Sequence, residues 1–524
     1  MENVSATTLG DEALTDGREA FRQMAWLSSH ELAHQWFGDL VTCGDWGHIW
    51  LNEGFASFFQ ALYFEHSRGA AAYANEIDND VADYILSCRK GKHSLTSDTN
   101  ADANTMFDGH VYFKGAAVLH TMRRYMGDKL FFAGLKRYLD KNRYKPVVTS
   151  DLCRALTESS GINMLPFFQQ WIYRPGHPVL DYSWSWEHKR VKLTIRQIQT
   201  TDDNTPLYQI DATVGIISGR AMVRRKLRLA NVEGVYFFDQ DRKPDAVLLD
   251  PEHDFLREIA EIHRRPSELF AILLCGSNPK DRNEALDKLL IGTPSSEILN
   301  EVVCIMRQDK GQFPVFPYLG KLGELKREAL RPFFREELNH ASILRRVGAI
   351  RALGQLTPNG ADMVTLRHLV SDTEPYGVVK EAIRTLYRWG DGNLDIVLKA
   401  STMESLHETI RSTAFDILAK ACAPQLPDVL VRTYYSTDRV LLRITAIDGT
   451  AKLPATEQKT RALLYSALRC GPPEVAMHAA ASLVARKDAN ALNDLLRLKS
   501  TLPAETPEWI AIGISHEVEE MQKL

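Results

Sequence analysis

Two histidines one helical turn apart are the residues with the clearest chemical meaning in this sequence. They lie in His30-Glu31-Leu32-Ala33-His34. On a helix, side chains four positions apart share a face, so both imidazoles can reach one ion at about 2.0–2.1 Å. Glu31 is rotated away from that face and would stand beside the metal, where it can take a proton from a bound water. The spacing therefore predicts a metal site with an adjacent base.

Glu53 offers a third ligand. It lies in Trp50-Leu51-Asn52-Glu53-Gly54-Phe55-Ala56, where Asn52-Glu53-Gly54 is expected to open the next helix. Two histidines and a glutamate leave the fourth position of a tetrahedral zinc ion to water, as in catalytic rather than structural sites. The prediction is one Zn²⁺ per chain, held by His30, His34 and Glu53. The alternative, ordinary histidines without a metal, does not account for this third group.

Other polar residues near the ligands receive different interpretations. A fourth protein ligand would displace the water, so His48 is interpreted as structural. Ligand histidines commonly need a partner for the second ring nitrogen, and Asp39 and Asp45 are equal candidates for that role.

Four segments together resemble the aminopeptidase N family of zinc metallopeptidases, the gluzincins. They are the His30 to Asp39 segment, the Leu51 to Ala56 segment, Val111-Tyr112-Phe113-Lys114-Gly115-Ala116, and Met1-Glu2-Asn3. The last is similar to the end of the family's Gly-x-Met-Glu-Asn exopeptidase motif. The resemblance covers residues 1 to about 175.

This resemblance implies a zinc-dependent aminopeptidase that acts on peptides with a free N-terminus. Glu31 would be the general base that activates the zinc-bound water, and Tyr112 would donate a hydrogen bond to the developing oxyanion. Glu2 would pair with the substrate's α-ammonium group, and Asn3 would assist it. His110 and His120, which flank the tyrosine segment, are interpreted as plain polar residues.

The elements that must position these residues indicate a multidomain, mainly α protein. Residues 1–175 are expected to form a thermolysin-like α(+β) zinc catalytic domain. Residues 176–258 alternate with period two, as in Tyr182 to Trp186 and Val191 to Ile195, which predicts a small β-sandwich. Further strands are predicted at 212–217, 223–229 and 234–238.

Residues 262–524 are predicted to form an α-helical HEAT-like repeat domain, a solenoid. Alanines recur at steps of 33, 32, 32 and 33 residues, at positions 349, 382, 414, 446 and 479. Four residues after each stand Leu353, Leu386, Leu418, Thr450 and Leu483. A small residue followed by a larger one a turn later, at constant period, is typical of stacked helical hairpins.

Composition and charge restrict the kinds of binding partner that we expect for this protein. A net charge of −4 gives no reason to expect nucleic acid, and no apolar run reaches the roughly 20 residues of a membrane span. Seven scattered cysteines do not suggest a cysteine zinc site. The glycine of the Met-Glu-Asn motif would precede Met1, so we expect a fragment that lacks an upstream β-rich domain packing on the catalytic domain. Any signal or anchor would also lie upstream, which leaves localisation open, with the cytoplasm favoured.

Two alternatives to the aminopeptidase hypothesis remain open. One is a bifunctional epoxide hydrolase and aminopeptidase of the leukotriene-hydrolase type, against which the β-rich stretch at 178–255 counts. The other is an inactive fragment that uses the helical repeats as a binding scaffold. Retention of Glu31 and Tyr112 beside the three ligands argues against the scaffold.

Overall fold

The computed structural model describes residues 3–10, 13–19, 24–97, 106–201, 205–308 and 315–524. Glu2 lies outside the described residues. The chain divides into two compact units. The first comprises Met1–Asp11 with Met24–Pro314, and the second comprises Glu12–Gln23 with Val315–Leu524.

Helices dominate the part of the first unit that carries the predicted metal ligands. They are α1 (Ala25–Ala33), α2 (Trp50–Arg68), α3 (Ala70–Cys88), α4 (Gly115–Met126), α5 (Asp128–Asn142), α6 (Thr149–Ser160) and α7 (Leu165–Trp171). A π-helical turn, His110–Lys114, runs directly into α4. The strands β1 (Val41–Cys43) and β2 (Lys145–Val147) pair in parallel.

Aromatic residues of α2 lie at the centre of this region's core. Phe55 and Phe58 are fully buried, and the ring of Phe55 stacks on that of Phe37 at 4.2 Å between centroids. The helix begins at Trp50, two residues earlier than expected, where the indole nitrogen donates to Thr149 Oγ1 at 2.9 Å. Burial of this aromatic face fixes the helix that carries Glu53.

Two sheets follow, with strands at every position that the period-two pattern indicated. The first sheet has the order β7-β4-β3-β9 and the second β6-β5-β8. Their strands are β3 (Val179–Glu187), β4 (Arg190–Gln197), β5 (Ile210–Ser218), β6 (Ala221–Leu229), β7 (Glu233–Asp239), β8 (Ala246–Leu249) and β9 (Glu258–Ile259). Val191, Leu193 and Ile195 alternate inward along β4 and are buried.

The first unit continues past the sheets as far as Pro314, and the predicted domain boundary at 258–262 stays a prediction. Its last helices are α8 (Pro266–Cys275), α9 (Pro279–Leu289) and α10 (Ser296–Gln308). His253 lies between Asp78 of α3 and Asp281 of α9, at 2.6 Å and 3.2 Å. Apolar residues of the catalytic region and of both sheets also belong to one continuous core. Side chains that lie far apart in sequence therefore pack together, so that the catalytic region, the two sheets and helix α9 are in contact within this unit.

The second unit is helical. Its helices are α11 (Val315–Glu324), α12 (Arg331–Glu337), α13 (Ile343–Leu353), α14 (Gly360–His368), α15 (Tyr376–Arg388), α16 (Leu394–Ala400), α17 (Thr409–Lys420), α18 (Leu426–Tyr435), α19 (Val440–Asp448), α20 (Gln458–Cys470), α21 (Pro473–Ala485), α22 (Leu492–Ser500) and α23 (Glu508–Gln522). All five periodic alanines lie in helices and are fully buried, as are the residues four positions later. The HEAT-like character of the repeats stays a prediction.

A short segment from near the start of the chain packs within this second unit. Tyr376 donates a hydrogen bond from its hydroxyl to Asp16 at 2.6 Å, and the Arg18 guanidinium lies 4.5 Å from the centre of the Tyr376 ring. Among the described residues, no helix is long and apolar enough to cross a membrane.

Candidate metal centre and catalytic site

The structure brings the three predicted metal ligands together. His30 projects from the last turn of α1, His34 is the residue that caps that helix, and Glu53 lies in the first turn of α2. Glu53 Oε2 lies 3.3 Å from His30 Nε2 and 3.3 Å from His34 Nε2. His34 and Glu53 are buried, whereas the side chain of His30 is 13% exposed.

These separations fit a zinc ion. Ligand atoms bound tetrahedrally at 2.0–2.1 Å lie about 3.3–3.4 Å from one another, which is the spacing of Glu53 Oε2 to both imidazole nitrogens. Two neutral imidazoles and one carboxylate form a donor set that zinc prefers. The donor set and its spacing therefore fit the predicted metal.

The neighbouring histidines, His30 and His34, favour the charged form of Glu53. Burial acts to raise the pKa of this carboxyl group, but hydrogen bonds from His30 and His34 outweigh burial and lower the pKa to about 2. Glu53 is thus a carboxylate throughout the range in which proteins are folded. A buried anion between two imidazoles is suited to accept a cation.

The orientation of His34 depends on the early end of α1. The helix ends at Ala33. The chain then turns, so that His34 Nδ1 donates to the Phe37 carbonyl at 3.0 Å. With a metal bound, donation from Nδ1 would select the tautomer whose Nε2 has a free lone pair, as metal binding requires.

The two acidic residues proposed as partners of the ligand histidines differ in their surroundings. Asp45 caps the short 3₁₀ turn Trp46–His48 by accepting from the Gly47 amide at 2.8 Å. Burial raises the pKa of Asp39, while the nearby charge of His34 opposes the shift. His48 lies 2.9 Å from Thr149 Oγ1 through its Nδ1. The second nitrogen of His34 is thus bound by a backbone carbonyl, a partner that the side-chain pattern did not indicate.

Glu31 and Tyr112 flank the ligand cluster. Glu31 is 8% exposed, although the next residue, Leu32, is 57% exposed. The Tyr112 ring is half-buried and lies beside that of His30, with centroids 6.1 Å apart and planes 26° apart. The predicted base and the predicted oxyanion donor therefore both belong to the surroundings of the three ligands.

Two glycines set the separation of the Glu53 helix and the Tyr112 segment. A Cβ atom on Gly115 would lie 2.7 Å from the Cα of Gly54, and a Cβ on Gly54 would lie 2.9 Å from the Cα of Gly115. Neither distance occurs between real atoms, so only glycine permits this approach. Gly54 directly follows Glu53, and Gly115 begins the helix after the π turn that carries Tyr112. Both glycines lie within motifs of the sequence, but the motifs do not indicate that the two residues contact each other.

The N-terminal motif is described only in part. Glu2 lies outside the described residues, so its predicted role stays untested. Asn3 donates from its side-chain amide to Thr8 Oγ1 at 2.9 Å. Gln35, next to His34, binds the Asn3 carbonyl and the Ser5 amide, each at 2.9 Å. Gln35 therefore links the backbone of residues 3 and 5 by hydrogen bonds to the turn that follows α1.

A second polar cluster was missed by the sequence analysis. His93, Asp108 and His110 converge, and the described residues contain only this group and the His30 group as arrangements that could hold a metal. His110 had been interpreted as a plain polar residue and His93 had not been singled out. The 14 residues between His93 and Asp108 follow no periodic pattern that would indicate their contact.

The N-terminal third of the chain is similar to known peptidases. Residues 1–171 match the model of the peptidase family M1 domain. The chain is 37% identical over 171 residues to aminopeptidase N of Lactococcus lactis, which covers 30% of this chain and 20% of that protein. It is 33% identical over 189 residues to aminopeptidase M1-A of rice, covering 34% of this chain and 22% of that protein.

A longer match exists to puromycin-sensitive aminopeptidase of Caenorhabditis elegans. It is 28% identical over 256 residues and covers 45% of this chain and 27% of that protein. The chain thus spans only about a fifth to a quarter of the length of these relatives.

One solved structure is similar to most of the chain. Aminopeptidase A of Legionella pneumophila, in complex with aspartic acid, aligns with a TM-score of 0.51 and 15% identity. The alignment covers 94% of this chain and 65% of that one. At this identity the similarity concerns the fold alone.

Proposed function

Because residues 1–171 belong to peptidase family M1, we propose that this chain is a zinc-dependent aminopeptidase that removes N-terminal residues from peptides. The observation that carries the proposal is the spacing of His30, His34 and Glu53, with Glu31 and Tyr112 beside them. The two separations from Glu53 Oε2 to the imidazole nitrogens match the edges of a tetrahedral zinc site, and all three ligand atoms lie within 4.8 Å of one another. Glu31 and Tyr112 supply the base and the hydrogen-bond donor that peptide hydrolysis needs.

His30, His34 and Glu53 would hold the zinc ion. When bound, zinc supplies a Lewis acid that polarises a carbonyl and lowers the pKa of water toward about 7. Glu31, buried on the same helix as His30, takes the proton of the attacking water and later passes it to the leaving amine.

Tyr112 donates its hydroxyl proton in a hydrogen bond to the oxygen that becomes negatively charged during attack. A donor of this kind lowers a barrier by roughly 2.7–4 kcal/mol. Glu2 pairs with the substrate's α-ammonium group, which an internal peptide bond lacks. Gln35 supports this role by holding the backbone of Asn3 and Ser5 beside the metal helix.

We also propose that a further β-rich domain packs on the catalytic region in the working enzyme. Support comes from large apolar side chains on and after the metal helix. Trp26 is 47% exposed, Leu32 57% and Trp36 48%. These exposed side chains lie within eleven residues of one another in sequence, and they are the support for an interaction surface here.

The test measures bound zinc and the hydrolysis of an aminoacyl anilide, with its N-acetylated form as the control. Two proteins are compared, this chain and the chain extended by whatever coding sequence precedes it. We expect one zinc per chain and cleavage of the free amine substrate only. Absence of zinc, or zinc without hydrolysis in both proteins, would reject the proposed activity. Full activity of the present chain alone would reject the need for the further domain.

A further inference from the structure

The carboxylate of Asp108 organises the turn that carries Tyr112. Its Oδ1 accepts from the backbone amides of His110 at 2.9 Å and Val111 at 3.3 Å. The Asp108 carbonyl accepts from the Tyr112 amide at 3.4 Å. Amides in the first turn of a helix lack partners within the helix, so Asp108 caps the turn His110–Lys114.

The other oxygen of Asp108 binds two imidazoles. His93 Nε2 lies 2.6 Å from Oδ2, and His110 Nδ1 lies 3.0 Å from it. The two rings lie against each other, with centroids 3.9 Å apart and planes at 31°. His93 Nδ1 also donates to the Ser94 carbonyl at 2.7 Å. Because a carbonyl and a carboxylate only accept, both contacts are satisfied together when both nitrogens of His93 carry protons and the ring is a cation.

These contacts are those of hydrogen bonds rather than of a second metal site. Ligand atoms around a zinc ion lie about 3.3–3.4 Å apart, as the Glu53 oxygen does from both ligand histidines. The 2.6 Å between His93 and Asp108 is shorter and matches a charge-assisted hydrogen bond. A metal would also need deprotonated nitrogens, whereas those facing Asp108 donate protons.

We propose that His93, Asp108 and His110 form a charged hydrogen-bond network that positions Tyr112 for the reaction. This inference rests on the proposed aminopeptidase function, because it assigns a purpose to the placement of Tyr112. Asp108 joins the network to the backbone of the Tyr112 turn, and the charge of His93 balances the charge of Asp108. None of the three residues needs to touch the substrate, so each is a positioning residue.

The electrostatics of the network agree with this geometry. The hydrogen bond to Asp108 raises the pKa of His93 above its ordinary value, against the effect of burial. Burial acts to raise the pKa of Asp108, but hydrogen bonds from His110 and His93 hold it well below its usual range.

The other groups that face the network come from the same turn and from α3. Lys114 is fully buried, donates to the Arg174 carbonyl at 2.9 Å, and has a pKa lowered to about 7 by burial. The ring of Tyr84 lies edge-on to His110, with centroids 5.4 Å apart. Ser87 packs so closely on Gly109 that a Cβ there would lie 2.0 Å from its hydroxyl oxygen.

The network implies a loss of turnover on the alkaline side. A raised pKa means that the His93–Asp108 ion pair is fully formed at low pH. As the pH rises through the pKa of His93, the ring loses its charge, Tyr112 is held less firmly, and kcat should fall more than KM changes.

Replacement of His93 tests the proposal on the zinc-loaded protein. His93→Ala should lower kcat on the order of ten- to a hundredfold, as expected for a misplaced reactive group, with little change in KM. The amide of His93→Gln can still donate to Asp108 and does not titrate. Because this amide carries no charge, we expect its kcat to lie between those of the wild type and His93→Ala, without the alkaline fall assigned to His93. His188→Asn, an exposed histidine in a turn between β3 and β4, is the control.

Further readouts separate this proposal from the proposed function. If wild-type zinc protein hydrolyses nothing, the proposed function fails, and the network is judged by ring-¹³C tyrosine NMR, with Tyr112→Phe for assignment. The Tyr112 resonance should then follow the titration of His93. Equal losses in His93→Ala and His93→Gln, normal turnover in both, or a Tyr112 resonance insensitive to His93 would overturn the proposal. A second metal ion per chain that is lost in His110→Ala would also overturn it.

Discussion

Glu31 illustrates how one residue step on a helix separates two chemical roles. The side chain is buried beside His30 and His34 and is not one of the three clustered ligand groups. A carboxylate that binds the metal and one that moves a proton must differ in position by a few ångströms. The helical period turns Glu31 away from the face of the two histidines, which favours the proton-transfer role proposed for it, while Glu53 on another helix is the predicted third ligand.

The first prediction concerns Glu31→Gln. This change keeps the shape of the side chain but removes its ability to take a proton, so we expect one bound zinc per chain and a fall in kcat on the order of a hundredfold or more. Metal analysis together with steady-state kinetics measures both. The exposed Glu187→Gln should match the wild type, and wild-type turnover by Glu31→Gln would remove the general-base assignment.

The second prediction concerns Tyr112→Phe. Loss of the hydroxyl removes a donor that acts only in the transition state, so kcat should drop on the order of 10²–10³-fold with little effect on KM. The highly exposed Tyr144→Phe is the control. A change confined to KM would mean that Tyr112 binds the substrate and does not stabilise the oxyanion.

At the scale of elements, the contact between two helical segments sets the distance between Glu53 and Tyr112. The Glu53 helix and the Tyr112 segment approach through Gly54 and Gly115, where any side chain would meet backbone atoms. The distance between a metal ligand and the predicted oxyanion donor therefore depends on two residues that carry no functional group. Backbone contacts of this kind cannot relax by a rotamer change.

The third prediction is that Gly115→Ala separates these elements. The new methyl group would lie 2.7 Å from Gly54 Cα, so the backbones must move apart. We expect about 1–3 kcal/mol of destabilisation and a lower kcat with zinc still bound. Denaturant unfolding and kinetics measure the two effects. Gly91→Ala, at a position with nothing within 4 Å, should change neither. Unchanged kcat in Gly115→Ala would show that the spacing tolerates adjustment.

At the scale of the whole molecule, buried charge links the catalytic region to the segments that follow it within the first unit. His253 lies between Asp78 and Asp281. Burial acts to lower the pKa of His253, but the charges of Asp78 and Asp281 outweigh it and raise the pKa to about 9.

The fourth prediction follows from the sign of that shift. Because the folded-state pKa lies above the ordinary value of 6.5, the stabilisation from protonated His253 is fully present below about pH 6.5. It is lost as the pH rises through about 9. The stability difference between wild type and His253→Asn should therefore shrink between pH 7 and 10. Thermal unfolding across this range measures it.

Asparagine suits this comparison because His253 has a φ of 55°, which asparagine tolerates. His188→Asn, at a φ of 50° on the surface, is the matched control and should show no such trend. A stability difference that stays constant or grows with pH would contradict the predicted role of His253.

The fifth prediction concerns removal of the metal. If His30, His34 and Glu53 bind zinc only when folded, zinc at a hundred times its Kd stabilises the folded state by about 2.7 kcal/mol. Chelation should then lower the Tm and abolish hydrolysis, and added zinc should restore both. A Tm that is insensitive to chelator would show that the cluster does not hold zinc in the folded protein.

Periodic features of this protein were determined by the sequence alone. The step of four residues between His30 and His34, the alternation along β4 and the buried alanines of the repeats follow from helix and strand geometry. Glu53 could be added because a catalytic zinc needs a third ligand. Each of these inferences uses local spacing or a general chemical requirement.

Only the tertiary structure decided which residues from different segments contact each other. The Phe37 carbonyl orients His34, Gly54 touches Gly115, His93 reaches Asp108, and His253 joins Asp78 to Asp281. Except for the first, these partners are separated by 15 to 175 residues. No local period encodes such pairs, because they form when packed elements bring distant backbone segments together. The sequence thus predicted which groups are proposed to perform the chemistry, and packing set the distances between them.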